Sequence, residues 1–435
     1  MFKILSWGTY PTDVSKIAVI GTGYVGLTTG ACLAHLGHDV VCADIDAQKV
    51  ERLQRGEISI VEDGLEALVR EGLSSGTLRF VVGGENAVSD VEFAFLCVPT
   101  PEGADGDADL SFVEAAARQI SSLLPRNSIV VNKSTVPVGS TRVVERVLKR
   151  ADVYVVSNPE FLREGSAVHD FLHPDRVVVG ADDQEAAMRV GNLYSGVNAP
   201  VVTTDAASAE TIKYAANAFL ATKISFVNAV AAICEGVGAD VRDVMRGIGY
   251  DRRIGHEFLK PGPGWGGSCF PKDTIALLKI AEHANYDFQL LRGVVEVNNQ
   301  QFDRIATRII DAAPAGGRIA VWGLTFKALT DDLRDSPSLQ IIDRLIKAGL
   351  SIAAYDPTVS ETIVAYPEVS ICQSELDACA GADVLAVLTE WENFRWVDPA
   401  DAALILTKKH VIDARNLLDR SAWKSAGFTY LGVGR

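Results

Sequence analysis

Short runs of β-branched and aliphatic residues alternate along the chain with longer stretches whose apolar positions recur at helical spacing, which predicts βαβ units on parallel sheets. The first series of strands is expected at Lys16 to Ile20, Asp39 to Asp44, Phe93 to Val98, Ser128 to Asn132, Val153 to Ser157 and Arg176 to Val179, closing one domain near residue 200. From Ala206 to about Gly236 only good or tolerable helix formers occur, so a single long helix should follow. A second series then runs from Arg318 to Gly323, Ser351 to Tyr355, Val384 to Leu388 and His410 to Asp413, with a helix from Ser338 to Ala348. The expected fold is α/β: two doubly wound domains joined by a long central helix. The expected divisions are residues 1–200 (with 1–15 as an N-terminal extension), 201–315 and 316–435.

Composition narrows the function. The 435 residues are 48% hydrophobic and 22% charged, the balance of a folded globular chain. A formal charge of -15 leaves no global basic field, so a nucleic-acid partner is not expected. Seven cysteines, odd in number and never spaced C-x-x-C, indicate neither a disulfide framework nor a zinc site, and no metal is expected. Met1 to Ser15 contains no apolar core of signal-peptide length, which points to a cytoplasmic protein. The apolar stretch Tyr214 to Val237 is interrupted by Lys223 and Glu235 and reads as a buried helix rather than a membrane span.

Candidate chemistry begins at Gly21-Thr22-Gly23-Tyr24-Val25-Gly26, which follows a strand and opens a helix. Glycines so spaced permit a tight turn, close approach of a pyrophosphate and close helix–strand packing. Asp44, at the end of the next strand, is placed to accept from a ribose 2′-hydroxyl and to repel a 2′-phosphate. A Rossmann-like site for NAD rather than NADP is therefore expected; the plainer alternative is a glycine turn needed only for packing.

Lys260-Pro-Gly-Pro-Gly-Trp-Gly-Gly-Ser-Cys-Phe-Pro-Lys-Asp-Thr274 describes a rigid loop whose backbone can press against a ligand. Pro271 suits the first turn of a helix continuing through His283. Cys269 would then sit at that helix's N-terminus, where exposed N–H groups and Lys272 favour a thiolate, with Asp273 one turn on. The other six cysteines are read as buried structural residues. On the central helix, Lys213 and Asn217 are four apart and share a face. An ammonium and a carboxamide there suit either stabilisation of an oxyanion or, as plain structure, a lysine reaching solvent beside a satisfied amide.

These motifs, together with Cys-Val-Pro-Thr-Pro (97–101), Lys-Ser-Thr-Val-Pro-Val-Gly (133–139), Asn-Pro-Glu-Phe-Leu-Arg-Glu-Gly (158–165) and Lys-Tyr-Ala-Ala-Asn-Ala-Phe (213–219), resemble the UDP-glucose/GDP-mannose dehydrogenases over nearly the whole chain from Lys16. The resemblance implies a four-electron oxidation of UDP-glucose to UDP-glucuronate with two NAD per turnover, through a Cys269 thiohemiacetal and thioester, then hydrolysis. It implies catalytic roles for Cys269, Lys213, Asn217, Asp273, Glu160 and Thr135, with Glu160 activating the hydrolytic water. It places NAD against Gly21 to Gly26, Asp44, Lys49, Thr100, Thr135, Glu164, Lys272 and Arg334. It places the sugar nucleotide against Glu160, Phe161, Leu162, Arg163, Glu164, Lys213, Asn217, Phe258, Lys260, Gly264, Trp265, Gly266, Phe326, Lys327 and Arg415, with Arg253 reaching from the partner of a homodimer. Residues 201–315 would then be the dimerisation part and 316–435 the UDP-sugar-binding domain. Three rivals remain: the same chemistry on another nucleotide sugar (dTDP-glucose or GDP-mannose), a simple two-electron alcohol dehydrogenase, and a catalytically silent NAD- or nucleotide-sugar-binding protein.

The chain departs from the family at Ile60-Val-Glu-Asp-Gly-Leu65, where a Glu-Pro-Gly-Leu turn is usual, and at residues 326–332, which lack the usual proline. Trp391 and Trp396 read as surface-loop packing, and Asp331 and Asp332 as a solvated turn.

Overall fold

The computed structural model describes residues 14–101, 103 and 108–435; of the extension expected at 1–15, residues 1–13 lie outside the described residues. The chain divides into two compact units, one up to Ala215 and one from Ala216 on. The first holds strands β1 (Lys16–Ile20), β2 (Asp39–Asp44), β3 (Leu78–Val82), β4 (Phe93–Leu96), β5 (Ile129–Asn132), β6 (Tyr154–Ser157), β7 (Val177–Gly180) and β8 (Val201–Thr204). They form one sheet in the order 3-2-1-4-5-6-7-8. Every neighbouring pair is parallel except β6 and β7, which touch antiparallel through Ser157 and Gly180, so the expectation of a wholly parallel sheet is corrected at that point. The order reverses between β1 and β4, the place where an open α/β sheet leaves a crevice at its carboxyl edge.

Alternation within β1 explains why its sequence is continuously apolar. Ile17 and Val19 pack into the core on one face, Ala18 and Ile20 into the core on the other, so each residue faces a layer of helices.

In the second unit, β9 (Arg318–Trp322), β10 (Ser351–Tyr355), β11 (Ser370–Ile371), β12 (Val384–Val387), β13 (His410–Asp413) and β14 (Thr429–Gly432) form a parallel sheet in the order 11-10-9-12-13-14. Ile319 and Val321 again face one core and Ala320 and Trp322 the other. The turn after the first strand is repeated as well. Gly21 and Gly323 both have φ of 95°, and each donates its N–H to the neighbouring strand, at Ala43 and Tyr355. At the end of that neighbouring strand stands a carboxylate in both units, Asp44 and Asp356. Asp356, however, is sealed: it accepts from the Leu324 and Thr325 N–H groups, the Thr325 hydroxyl and the Trp391 indole.

The helix Ala206–Val237 joins the two domains, as the run without proline predicts. Its length and a mean hydropathy of 1.4 would by themselves suffice to cross a bilayer, further than the interruptions at Lys223 and Glu235 suggest. Its polar side chains are spent on the protein instead. Glu210 and Lys213 bond residues of the first unit, and Asn217, Ser225 and Glu235 residues of the second.

Three smaller expectations are corrected. Trp391 is buried by its bond to Asp356, while Trp396 is exposed. Asp332 is not a solvated turn residue, since Arg334 folds over it and leaves its side chain 9% exposed. Among the cysteines other than Cys269, Cys372, directly after the short edge strand β11, is only half-buried; the remaining five are buried, and none of the seven is in a disulfide.

Candidate active site

In the first unit the glycine motif divides its labour. A Cβ on Gly21 would lie 2.5 Å from the Cys97 carbonyl oxygen and one on Gly26 only 1.9 Å from that of Gly21, whereas one on Gly23 would meet nothing within 4 Å. The first and third glycines therefore serve packing, and the second leaves open space before the N-terminus of the helix Tyr24–His35, a cradle that fits a pyrophosphate. Asp44 is positioned by this turn. Its Oδ2 accepts from the Thr22 N–H (3.0 Å), the Thr22 hydroxyl (2.6 Å) and Lys49 Nζ (3.0 Å), and its Oδ1 from the Asp46 N–H. Burial works against the charge, but these donors prevail and bring the carboxyl down to about 2. Thr22 and Lys49 thus act on the site through Asp44. Tyr24 donates to Glu62, and the Gly165 N–H donates to both Tyr24 Oη (2.8 Å) and Glu62 Oε2 (2.7 Å).

The two loops carrying Thr100 and Thr135 are stitched together, because the Thr100 hydroxyl donates to the Thr135 carbonyl at 2.8 Å and the Ser134 hydroxyl to that of Val98 at 2.7 Å. The second loop ends at the helix Ser140–Leu148, whose glycine N-cap offers no side chain. Buried Glu210 supplies one from the long helix, accepting from the Gly139 N–H (2.6 Å), the Thr141 N–H (2.9 Å) and the Thr141 hydroxyl (2.7 Å).

One turn beyond Glu210, Lys213 is 3% exposed, which excludes the solvent-reaching reading. Its Nζ donates to both the carbonyl and Oε1 of Glu160, each at 2.7 Å. Glu160 Oε2 accepts in turn from the Leu162 N–H at 2.6 Å. Burial alone would push this carboxyl up; the Lys213 ammonium outweighs it and holds Glu160 below the usual range. Phe161 is clamped by the Arg176 guanidinium, stacked 3.6 Å from its ring centre, and lies 5.5 Å from Lys213 Nζ. Arg163 is committed to Asp170, and Leu162 and Glu164 are half-buried in the same loop.

In the second unit Asn217, four residues after Lys213 on the same helix, donates from Nδ2 to Asp273 Oδ2 at 2.5 Å. Lys272 Nζ stands 3.2 Å from Asp273 Oδ1, off-line for a hydrogen bond. Cys269 is half-exposed and caps the helix Phe270–His283, with Pro271 in its first turn as the sequence predicts. Its Sγ lies 3.6 Å from Ser268 Oγ.

The glycine-rich loop before it is held rigidly. The Trp265 indole donates to Ser225 and the Trp265 N–H to Asn298, the Asn228 side chain accepts from the Gly262 N–H, and a Cβ on Gly266 would lie 1.9 Å from the Asp335 carbonyl oxygen. Gly264 packs on Phe302 and Gly267 on the Phe326 ring, while Lys327 Nζ stands 5.4 Å from that ring's centre. Arg415 donates to the Phe326 and Leu388 carbonyls and comes within 3.5 Å of where a Cβ on Gly262 would be. The structure thus brings the Gly262–Gly267 loop, Phe326, Lys327 and Arg415 together. Lys260 is exposed at the loop's start, Phe258 stacks edge-on against Phe270, and Arg253 lies at the surface paired with Asp251. Arg334, expected at the cofactor, is engaged with Asp332. No cluster of metal-ligating side chains occurs among the described residues.

Sequence reading passed over Glu62, Lys133, Arg176 and Glu210. Glu210 alone carried a signal, a carboxylate three residues before Lys213 on an otherwise apolar helix.

Comparison with known proteins finds three matching stretches of the chain. Residues 15–198 match the NAD binding domain of the UDP-glucose/GDP-mannose dehydrogenase family, residues 207–300 its central domain, and residues 320–420 its UDP binding domain. A UDP-glucose 6-dehydrogenase of Rhizobium meliloti (strain 1021) is 44% identical over 97% of this chain and 99% of its own length. Two solved structures superpose closely. A UDP-glucose dehydrogenase from the hyperthermophilic archaeon Pyrobaculum islandicum has a TM-score of 0.89 at 35% identity, covering 98% of this chain and 100% of its own. A UDP-D-ManNAc dehydrogenase from Pyrococcus horikoshii has 0.86 at 29%, covering 96% and 99%. The chain belongs to the UDP-glucose/GDP-mannose dehydrogenase family and takes NAD as its cofactor.

Proposed function

We propose that the protein oxidises the C6 primary alcohol of UDP-glucose to the carboxylate of UDP-glucuronate, using two NAD per turnover and Cys269 as a covalent nucleophile. The observation that carries this reading is the placement of Cys269 at a helix N-terminus, half-exposed, with Asp273 one turn on and held by Asn217. A binding protein needs no nucleophile so poised. NAD, when bound against Gly23, Asp44 and the Thr100 and Thr135 loops, supplies the hydride acceptor for both oxidations.

The chain's own residues do the rest. Lys213, Asp273 and water take the proton of the alcohol as its carbon loses a hydride. The Cys269 thiolate adds to the resulting aldehyde, forming a C–S bond and a thiohemiacetal whose oxyanion Lys213 and Asn217 stabilise. Loss of a second hydride leaves a thioester. Glu160 then takes a proton from water, the hydroxide oxygen adds to the carbonyl, and the C–S bond breaks to return the thiolate. Because Lys213 shares its protons between Glu160 and the reacting oxygen, the carboxylate gains basicity at the moment the ammonium is drawn to the oxyanion.

The same reading assigns Phe161, the Lys260 to Gly266 loop, Phe326, Lys327 and Arg415 to the sugar nucleotide, with residues 201–315 as a helical dimerisation part and 316–435 as the UDP-sugar domain. Phe219, Phe226 and Ile233 are exposed at seven-residue intervals on the long helix and support a homodimer to which Arg253 contributes. The same reading places the protein in the cytoplasm, where its seven thiols stay reduced.

The test is NADH released per sugar from a panel of UDP-, dTDP- and GDP-sugars. Two equivalents with UDP-glucose, and none forming a carboxylate once Cys269→Ala is introduced, are expected. One equivalent, or undiminished uronate from the variant, would refute the covalent route; a stronger response to another sugar would move the substrate.

A further inference from the structure

Lys133, the residue after β5, is 4% exposed. Its Nζ donates to Asn158 Oδ1 and to Tyr194 Oη, each at 3.1 Å, and stands 5.8 and 5.5 Å from the ring centres of Phe171 and Tyr194. The acceptor Asn158 is itself fixed. Its N–H donates to the Asn132 carbonyl, its Nδ2 to that of Val178 at 2.7 Å, and its Oδ1 also accepts from Tyr194 Oη at 2.6 Å. Only Pro159 separates Asn158 from Glu160, so the ammonium grips the turn that presents the proposed base.

A structural lysine is a poor explanation. None of its bonded partners is anionic, and burying a cation among a carboxamide, a phenol and a phenyl ring costs more than an aliphatic side chain of the same shape. Removing it would orphan nothing: Asn158 Oδ1 keeps Tyr194, and Glu160 keeps Lys213. The charge itself therefore needs a reason. The ionisable groups that face it are Glu160, Lys213, Cys97, Cys32 and Tyr194. Burial holds both thiols protonated, each pushed up to about 12, and pushes the phenol up as well. Glu160 is thus the one anion in the group. Burial also draws Lys133 down to about 8, and the charge of Glu160 is the chief influence resisting it.

We propose that Lys133 is a positioning residue for Glu160: it fixes the Asn158–Glu160 turn and lends the carboxylate a second buried cation, so that Glu160 stays ionised while Lys213 serves the oxyanion. The proposal rests on the hydrolytic role given to Glu160 above.

Lys133→Met and Lys133→Gln remove the charge, the second keeping a hydrogen-bond donor. Each is compared with the unaltered protein and with Glu160→Gln in single turnovers with UDP-glucose and NAD, reading acylated Cys269 by intact mass, the pH dependence of deacylation, and the thermal midpoint at pH 7. The expected result is a midpoint at or above that of the unaltered protein, deacylation slowed by about tenfold or more with acyl-enzyme accumulating, and the acid limb moved to higher pH. A folded variant with unchanged deacylation and limb overturns the proposal. So does a lowered midpoint with activity lost and no acyl-enzyme, or failure of both variants to fold, since each makes Lys133 a structural brace. Glu160→Gln turning over normally would instead sink the role of Glu160 itself.

Discussion

Asp44→Asn probes the cofactor crevice where its electrostatics are best defined. The native carboxylate gathers four hydrogen bonds, one of them from the Lys49 ammonium, and titrates at about 2 instead of 3.8. That difference corresponds to about 2 kcal/mol of folding stability. Because the folded value is depressed, the contribution is fully present above pH 3.8 and disappears as the pH falls through about 2. Roughly half of it is gone by about pH 3. An asparagine fills the same space but turns an amide toward groups that are all donors, so at pH 7 it should lose about 2 kcal/mol. Denaturant unfolding of both proteins at pH 7, 5, 4 and 3 measures this, and the gap between the two should narrow only below pH 4. In the same preparations the KM for NAD should rise about tenfold and preference over NADP should weaken, since Lys49 is released to meet a 2′-phosphate. A stability gap of equal size at every pH, or unaltered cofactor kinetics, would show that the charge of Asp44 has neither function.

Glu210→Gln should cost about 2 kcal/mol by turning an amide NH2 toward the N–H groups at the start of the helix Ser140–Leu148, and should lower kcat by loosening the Thr135 loop; calorimetry and steady-state rates check it, and unchanged values would make the cap decorative. Gly266→Ala drives a Cβ into the Asp335 carbonyl oxygen, 1.9 Å away, with Pro337 close behind. Sugar oxidation should fall about a hundredfold while NAD still binds by fluorescence titration; normal turnover would mean that the loop is not held as rigidly as its contacts indicate.

The buried strands were legible in the sequence because both of their faces are covered, which leaves uninterrupted aliphatic runs such as Ile17 to Ile20 and Ile319 to Val321. The strands that escaped notice are β3, β8, β11 and β14, which lie at sheet edges or are very short, where one exposed flank admits Arg79, Thr203 or Ser370 and blurs the pattern. Within the site, residues embedded in compact motifs could be read, since Cys269 and Asp273, or Lys213 and Asn217, are placed by a single helix. Glu62, Lys133 and Glu210 could not be assigned roles, because partners such as Gly165, Asn158 and Thr141 lie 103, 25 and 69 residues away, and Arg176 meets the Phe161 ring only through the way strands and helices stack. Trp391 misled for a related reason: nothing local announces that an indole between charged residues will turn inward to meet Asp356.

That inward indole says something about how one backbone plan came to host two chemistries. Both halves carry the same left-handed glycine and the same acid facing it, yet in the later half the acid is shut away as the pin of a tight turn. An acid so enclosed has no oxygen left to offer a ribose, and it takes only one aromatic stopper, not another order of strands, to enclose it. The likeness of the two halves is accordingly one of mainchain, while what differs is which side chains reach the acid.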